Sequence, residues 1–184
     1  MKLEEITSLL LANGGCQKCP LAKGRNKIVV GQGYSQAKLV LVGECPGQAE
    51  DESGLAFVGR AGQLLTKLLT EFNLTRDEVF ITNVCRCRPP NNRTPTSEEI
   101  AACLPYLQMQ LEAINPKVIC ALGKTAAVAL GLLQSKDSLK KVRGLWKTWN
   151  GIPVLTTYHP SYLLRGVGMK EARADFKALL VHCA

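Results

Sequence analysis

Apolar residues fall along this chain in short dense runs separated by stretches of helical spacing. Lys38-Leu39-Val40-Leu41-Val42, Val79-Phe80-Ile81-Thr82-Asn83, Lys117-Val118-Ile119-Cys120-Ala121-Leu122 and Ile152-Pro153-Val154-Leu155-Thr156 are rich in branched side chains. Such continuous runs predict strands buried on both faces. Ile28-Val29-Val30-Gly31 reads as an edge strand ahead of them. Leucines at 64, 65, 68 and 69 share one face of a helix. Leu3 to Leu11 predicts a short helix that Asn13-Gly14-Gly15 stops, and Thr96-Ser97-Glu98-Glu99 is a capping box that opens another. Further helices start at Gly123-Lys124-Thr125 and run from about Lys170 to Val181. Strands alternating with helices predict an α/β fold, a three-layer α/β/α sandwich around a central, mostly parallel four-stranded sheet, in a single domain over residues 1–184.

A parallel sheet brings the carboxyl ends of its strands to one edge, where ligands bind in open α/β folds. Three strands end there on distinctive polar residues: Glu44, Asn83 and His159. Taken singly, they read as a solvated acid, a turn-forming cap and a loop histidine; taken together they predict a site. Glu44 lies in Gly43-Glu44-Cys45-Pro46-Gly47, which begins an acidic, glycine-punctuated loop reaching Gly62. Gly123-Lys124-Thr125 looks like the end of a phosphate-binding loop, but that pattern needs a glycine where this chain has Val118, so nucleotide binding is rejected.

Charge and cysteine content narrow the class. The net charge is +8, and from Lys136 onward nine basic residues stand against three acidic ones, which accounts for +6 of it. Such a basic patch suits a polyanion, with nucleic acid the leading case. No apolar run approaches the roughly 20 residues of a membrane span, and the acidic start is unlike a signal peptide, so a cytoplasmic, monomeric protein with no membrane contact is expected. In that compartment eight cysteines are poor candidates for disulfides and better ones for metal. Cys16-Gln17-Lys18-Cys19 is a C-x-x-C pair compatible with zinc, redox or cluster chemistry. With Cys103 on the capped helix and either Cys85 or Cys87 from the proline-rich loop Val84–Pro95, it makes a four-thiolate set.

Taken together, Gly43-Glu44-Cys45-Pro46-Gly47 with Glu50-Asp51, Phe57-Val58-Gly59-Arg60-Ala61-Gly62, Asn83 with Cys87-Arg88-Pro89-Pro90, Cys103, and His159-Pro160-Ser161-Tyr162-Leu163-Leu164-Arg165 resemble the family 4 uracil-DNA glycosylases. The resemblance runs from Cys16 to about Arg165. It implies a uracil-DNA glycosylase-like fold, a [4Fe–4S] cluster on Cys16, Cys19, Cys87 and Cys103 with Cys85 left over, and uracil-containing DNA as substrate. It further implies Glu44 and His159 as the catalytic pair, Glu44 for the water and sugar and His159 for the leaving oxygen. Gly43, Cys45, Gly47, Glu50, Phe57 and Asn83 would bind the base, with Phe57 stacking, Asn83 reading the Watson–Crick edge and Glu50 helping to exclude the thymine methyl. Ser161, Leu163, Leu164 and Arg165 would bind DNA, the two leucines and the arginine by wedging into the gap left by the flipped base and holding a phosphate.

This chain departs from the family pattern in having Cys45 at the middle of the first motif and Ala56 before Phe57. It also lacks a recognisable basic insertion of the kind that holds DNA covalently, so turnover is expected. The chief alternative is a zinc- or cluster-stabilised nucleic-acid-binding module without catalysis; an electron-transfer protein is a third reading.

Overall fold

The computed structural model describes residues 1–183. Its strands are β1 (Gln32–Gly33), β2 (Leu39–Gly43), β3 (Phe80–Asn83), β4 (Val118–Leu122), β5 (Trp146–Trp149) and β6 (Ile152–Thr157). They form one sheet in the order β1-β3-β2-β4-β6-β5. The four middle strands are parallel, as the apolar runs predict, and a short antiparallel strand is added at each edge. The predicted four-stranded sheet is thus the core of a six-stranded one.

Alternate residues of each central strand face opposite layers. Val40, Val42, Ile119 and Ala121 meet α4 (Ser97–Ile114) and α5 (Lys124–Ala129) on one side. Leu39, Leu41, Cys120 and Leu122 meet α3 (Arg60–Glu71) and α7 (Met169–Cys183) on the other. α1 (Leu3–Leu11) lies outside the first layer, where Ile6 and Leu10 pack with Tyr106 of α4. The capping box is present at α4, with Thr96 Oγ1 accepting from the Glu99 amide at 3.2 Å, an arrangement worth about 1 kcal/mol. Among the described residues, no helix is long and apolar enough to cross a membrane.

Three local expectations need correcting. Ile28–Gly31 is not a strand, because its backbone groups bond elsewhere: Val29 N–H donates to the Arg86 carbonyl at 2.9 Å and the Val30 carbonyl accepts from Gln110 Nε2 at 2.6 Å. The edge strand is the next two residues. The acidic loop holds a short helix, α2 (Gln48–Ser53), and the His159 loop holds another, α6 (Pro160–Leu163). The helices matter because they aim Glu50 and Ser161.

Candidate active site

Register fixes what meets at the carboxyl edge. Gly43 pairs with Asn83 and Leu122 pairs with Thr157, so Glu44, Asn83 and His159 all emerge on one rim. With Cys45, Gly47, Glu50, Phe57 and Ser161 they line one cavity of about 260 Å³. Eight of the residues implicated by the sequence thereby converge.

The base of the cavity depends on a missing side chain. A Cβ on Gly43 would lie 2.5 Å from Asn83 Oδ1 and 2.5 Å from Phe57 Cζ. Its absence lets the amide and the ring approach each other. Asn83 is 2% exposed, and its Oδ1 is buried without a hydrogen-bond partner. Nearly all buried polar atoms are paired, so this acceptor is free for a ligand.

Phe57 has φ +53°, a left-handed conformation costing about 1–3 kcal/mol in a bulky residue. Two charged side chains hold it. Arg76 donates to the carbonyls of Ala56 and Phe57 at 2.6 and 3.0 Å. Glu50 Oε1 accepts from the amides of Val58 and Gly59 at 2.8 and 2.7 Å, while its Oε2 accepts from Gly47 N–H at 3.0 Å. Behind the ring, a Cβ on Gly62 would stand 1.9 Å from the Phe57 carbonyl oxygen, so glycine there admits α3 against the strained turn. The resemblance implies that Glu50 helps to exclude the thymine methyl; it lines the cavity while both its carboxylate oxygens accept from backbone amides of the loop.

His159 Nδ1 accepts from the Ser161 amide at 3.1 Å and lies 2.8 Å from the Ser161 hydroxyl. With Nδ1 an acceptor, the ring proton sits on Nε2. Burial pushes the imidazole pKa down to about 4, against the opposing charge of Glu50, so the ring is a neutral N–H donor at neutral pH. Its centroid lies 5.7 Å from that of Phe57, with the planes tilted by 36°. Thr125 Oγ1 donates to Glu44 Oε2. Thr125 was missed from sequence; the triplet rejected as a phosphate loop orients the acid.

The DNA-contact expectation is split. Ser161 spends its hydroxyl on His159. Leu163 is a correction: it is buried in the α3/α7 layer and does not face solvent as a wedge. Leu164 is 42% exposed, and Arg165 is exposed with its guanidinium 6.0 Å from the Tyr162 ring. One helical turn points successive residues in different directions, which a linear motif does not reveal.

Cys16, Cys19, Cys87 and Cys103 line a second, narrow cavity of about 20 Å³. Cys85 lies behind it, with its thiol hydrogen-bonded to those of Cys103 and Cys45. Donors surround the set: Tyr106 Oη stands 3.5 Å from Cys16 Sγ and Arg25 Nη1 3.5 Å from Cys87 Sγ. Burial pushes the Cys87 thiol up to about 11 and raises Cys19, and the hydrogen bond with Cys85, with burial behind it, raises Cys103. These thiols are protonated until something displaces the proton. Among the described residues, no three side chains close on a single metal ion; the four thiols border a space. The loop carrying Cys87 also supplies Pro89, Asn92 and Arg93 to the catalytic cavity, so the two cavities share a wall. Arg93 is tied to Glu99 by two contacts of 2.8 Å.

Comparison with known proteins agrees with this geometry. The family model of the uracil DNA glycosylase superfamily matches residues 30–181. The chain is 53% identical to a type-4 uracil-DNA glycosylase of Thermotoga maritima, over 82% of this chain and 78% of that one. It is 47% identical to one of Saccharolobus solfataricus, over 88% and 79%. A third, of Sulfurisphaera tokodaii, is 44% identical over 96% and 83%.

Proposed function

The chain belongs to the uracil DNA glycosylase superfamily, and on that premise we propose that it flips uracil out of DNA and hydrolyses its N-glycosidic bond, leaving an abasic site. The observation that carries this reading is the unpaired, buried Asn83 Oδ1 opening into a cavity whose far side holds a neutral imidazole. Uracil presents N3–H to that oxygen and O4 to the amide NH₂, while Phe57 stacks on its face. Extrusion from the duplex costs a few kcal/mol, which stacking and these bonds offset.

Bond cleavage separates charge, with oxocarbenium character on the deoxyribose and negative charge on the departing base. His159 Nε2–H donates to uracil O2 as that charge develops; a neutral donor suffices because the bond strengthens as the oxygen becomes anionic. Glu44, steadied by Thr125, orients the water that attacks C1′ and faces the sugar's positive charge. The water's OH joins C1′ and its proton passes to the Glu44 carboxylate, while the uracil anion leaves with the bonding pair. Leu164 and Arg165 take the roles of wedge and phosphate contact, and the basic residues beyond Lys136 meet the DNA backbone. The protein acts as a cytoplasmic monomer.

The cysteine cavity fits a [4Fe–4S] cluster on Cys16, Cys19, Cys87 and Cys103. Four thiols from three chain segments border it, and a buried cationic nitrogen of Arg86 in its wall has no partner. Bound there, the cluster would cross-link those segments, and the hydrolysis needs no electron from it. As a ligand, Cys87 would anchor the loop that contributes Pro89, Asn92 and Arg93 to the pocket.

The test is incubation of the purified protein with an oligonucleotide bearing one uracil, followed by alkali to cut at abasic sites. A single strand break at the uracil is expected. Tight binding without cleavage would overturn the reading in favour of a binding module.

A further inference from the structure

Arg86 heads the fully buried side chains of the molecule, at 1% exposure. Its Nη1 donates to the carbonyls of Asn83 and Val84 at 2.7 and 2.9 Å, and its Nη2 to Gln110 Oε1. Gln110 is held in turn by the Thr82 hydroxyl at 3.1 Å and by the Val30 carbonyl at 2.6 Å. These acceptors are two peptide carbonyls and a carboxamide, all neutral. Of its five N–H groups, that on Nε is buried and unpaired, and a side-chain hydrogen bond joins the guanidinium to the Cys103 thiol.

A guanidinium keeps its charge in a protein, and a buried cation without a counter-ion is strongly unfavourable. What lies on the open side of Arg86 is the cavity of Cys16, Cys19, Cys87 and Cys103. Thiols do not compensate a cation, whereas thiolates holding a metal group do. Resting on the cluster reading above, we infer that Arg86 is the counter-cation of the four-thiolate group, and that the same guanidinium fixes the Asn83–Val84 turn. It is therefore a positioning residue that joins the cluster to the amide reading the base. The link is short. One fork-shaped side chain lines the cysteine cavity and holds the Asn83 carbonyl with Nη1, a division of labour that the single ammonium of lysine does not reproduce.

The two roles separate by substitution. Holoprotein, Arg86→Met and Arg86→Lys are purified without oxygen, and iron and sulfide are counted. The visible absorption of the cluster is then followed under excess chelator, and single-turnover uracil excision is measured on the same samples. Removing a side chain that supports a metal's ligands without touching the metal costs about 10–100-fold. Arg86→Met is expected to bleach faster by about that factor and to excise more slowly. Arg86→Lys, which keeps the charge and loses the fork, is expected to bleach within about three-fold of the parent while excising as slowly as the methionine variant. Bleaching of Arg86→Met at the parent's rate, or of Arg86→Lys as fast as Arg86→Met, overturns the inference.

Parent protein without iron and sulfide would overturn the cluster reading itself, and this inference with it; iron-bearing parent with insensitive variants would overturn only the inference. If neither variant folds, the parent labelled with heavy nitrogen at arginine Nε is examined by pulsed electron paramagnetic resonance after reduction. A nitrogen coupling to the cluster is expected, and none would refute the assignment.

Discussion

The two cavities at the carboxyl edge of the sheet are finished by different means. In the larger, of about 260 Å³, protein groups complete nearly everything: Glu50 and Arg76 hold the strained Phe57 turn, Ser161 sets the His159 tautomer, and Thr125 holds Glu44. One buried acceptor, Asn83 Oδ1, is left open. In the smaller, of about 20 Å³, four thiols and the buried Arg86 guanidinium, whose Nε has no partner, meet in one wall. The first is organised in advance for a ligand that comes and goes, as catalysis by fixed dipoles requires. The second carries the donor set that the proposed cluster would bind, and such binding would contribute to folding.

If the catalytic cavity works through charge that develops late, His159→Ala should show the largest effect, a loss of about 10²–10³ in single-turnover excision. Binding to uracil-containing DNA should fall far less; equal losses in both would make His159 a binding residue. The smaller cavity is sharpened by comparing neighbours. Cys103→Ala should lose its iron and with it an appreciable part of the thermal stability, whereas Cys85→Ala should retain full iron. Equal iron loss would make Cys85 a ligand. Next in size is the clamp: Arg76→Ala should release the Phe57 turn, costing about 1–3 kcal/mol of stability and about ten-fold in excision, measured by denaturant unfolding and single turnover.

The smallest effect concerns pH. Because the folded pKa of His159 is depressed to about 4 from an ordinary 6.5, the unfolded chain takes up the proton first. The stability associated with the neutral ring is full above pH 6.5 and is lost as pH falls from there toward 4. Excision should accordingly stay flat through pH 6.5 and decline only as pH approaches 4. A midpoint near 6.5 would mean that the ring titrates as an exposed histidine.

Much of this was legible in the chain because it rests on local rules. The parallel core follows from the apolar runs, α4 from its capping box, and the convergence of Glu44, Asn83 and His159 from the rule that parallel strands end together. What escaped depends on distant partners. Thr125 steadies Glu44 only because β4 lies beside β2, and nothing in Gly123-Lys124-Thr125 announces it. Leu163 and Leu164 are alike in sequence, yet the turn of α6 buries one and exposes the other. β5 is hidden by its mostly exposed pattern, Trp146-Lys147-Thr148-Trp149, which forms a strand through pairing with β6. Arg86 reads as one more basic residue of a DNA-facing loop, and only tertiary packing reveals it as a buried cation.

The most direct test of the account is whether Asn83 reads the base. On the proposed reading its carboxamide would donate to uracil O4 and accept from N3–H; cytosine offers an amino group at position 4 and a bare N3, so each contact would meet its like. Aspartate at this position would accept from the cytosine amino group and repel uracil O4. Single-turnover rates of the parent and Asn83→Asp are measured on matched oligonucleotides carrying uracil or cytosine at one position. The account predicts that the variant loses most of its activity on uracil and gains measurable excision of cytosine. A variant with the parent's preference and rate would contradict it, leaving the buried Oδ1 without a part in recognition.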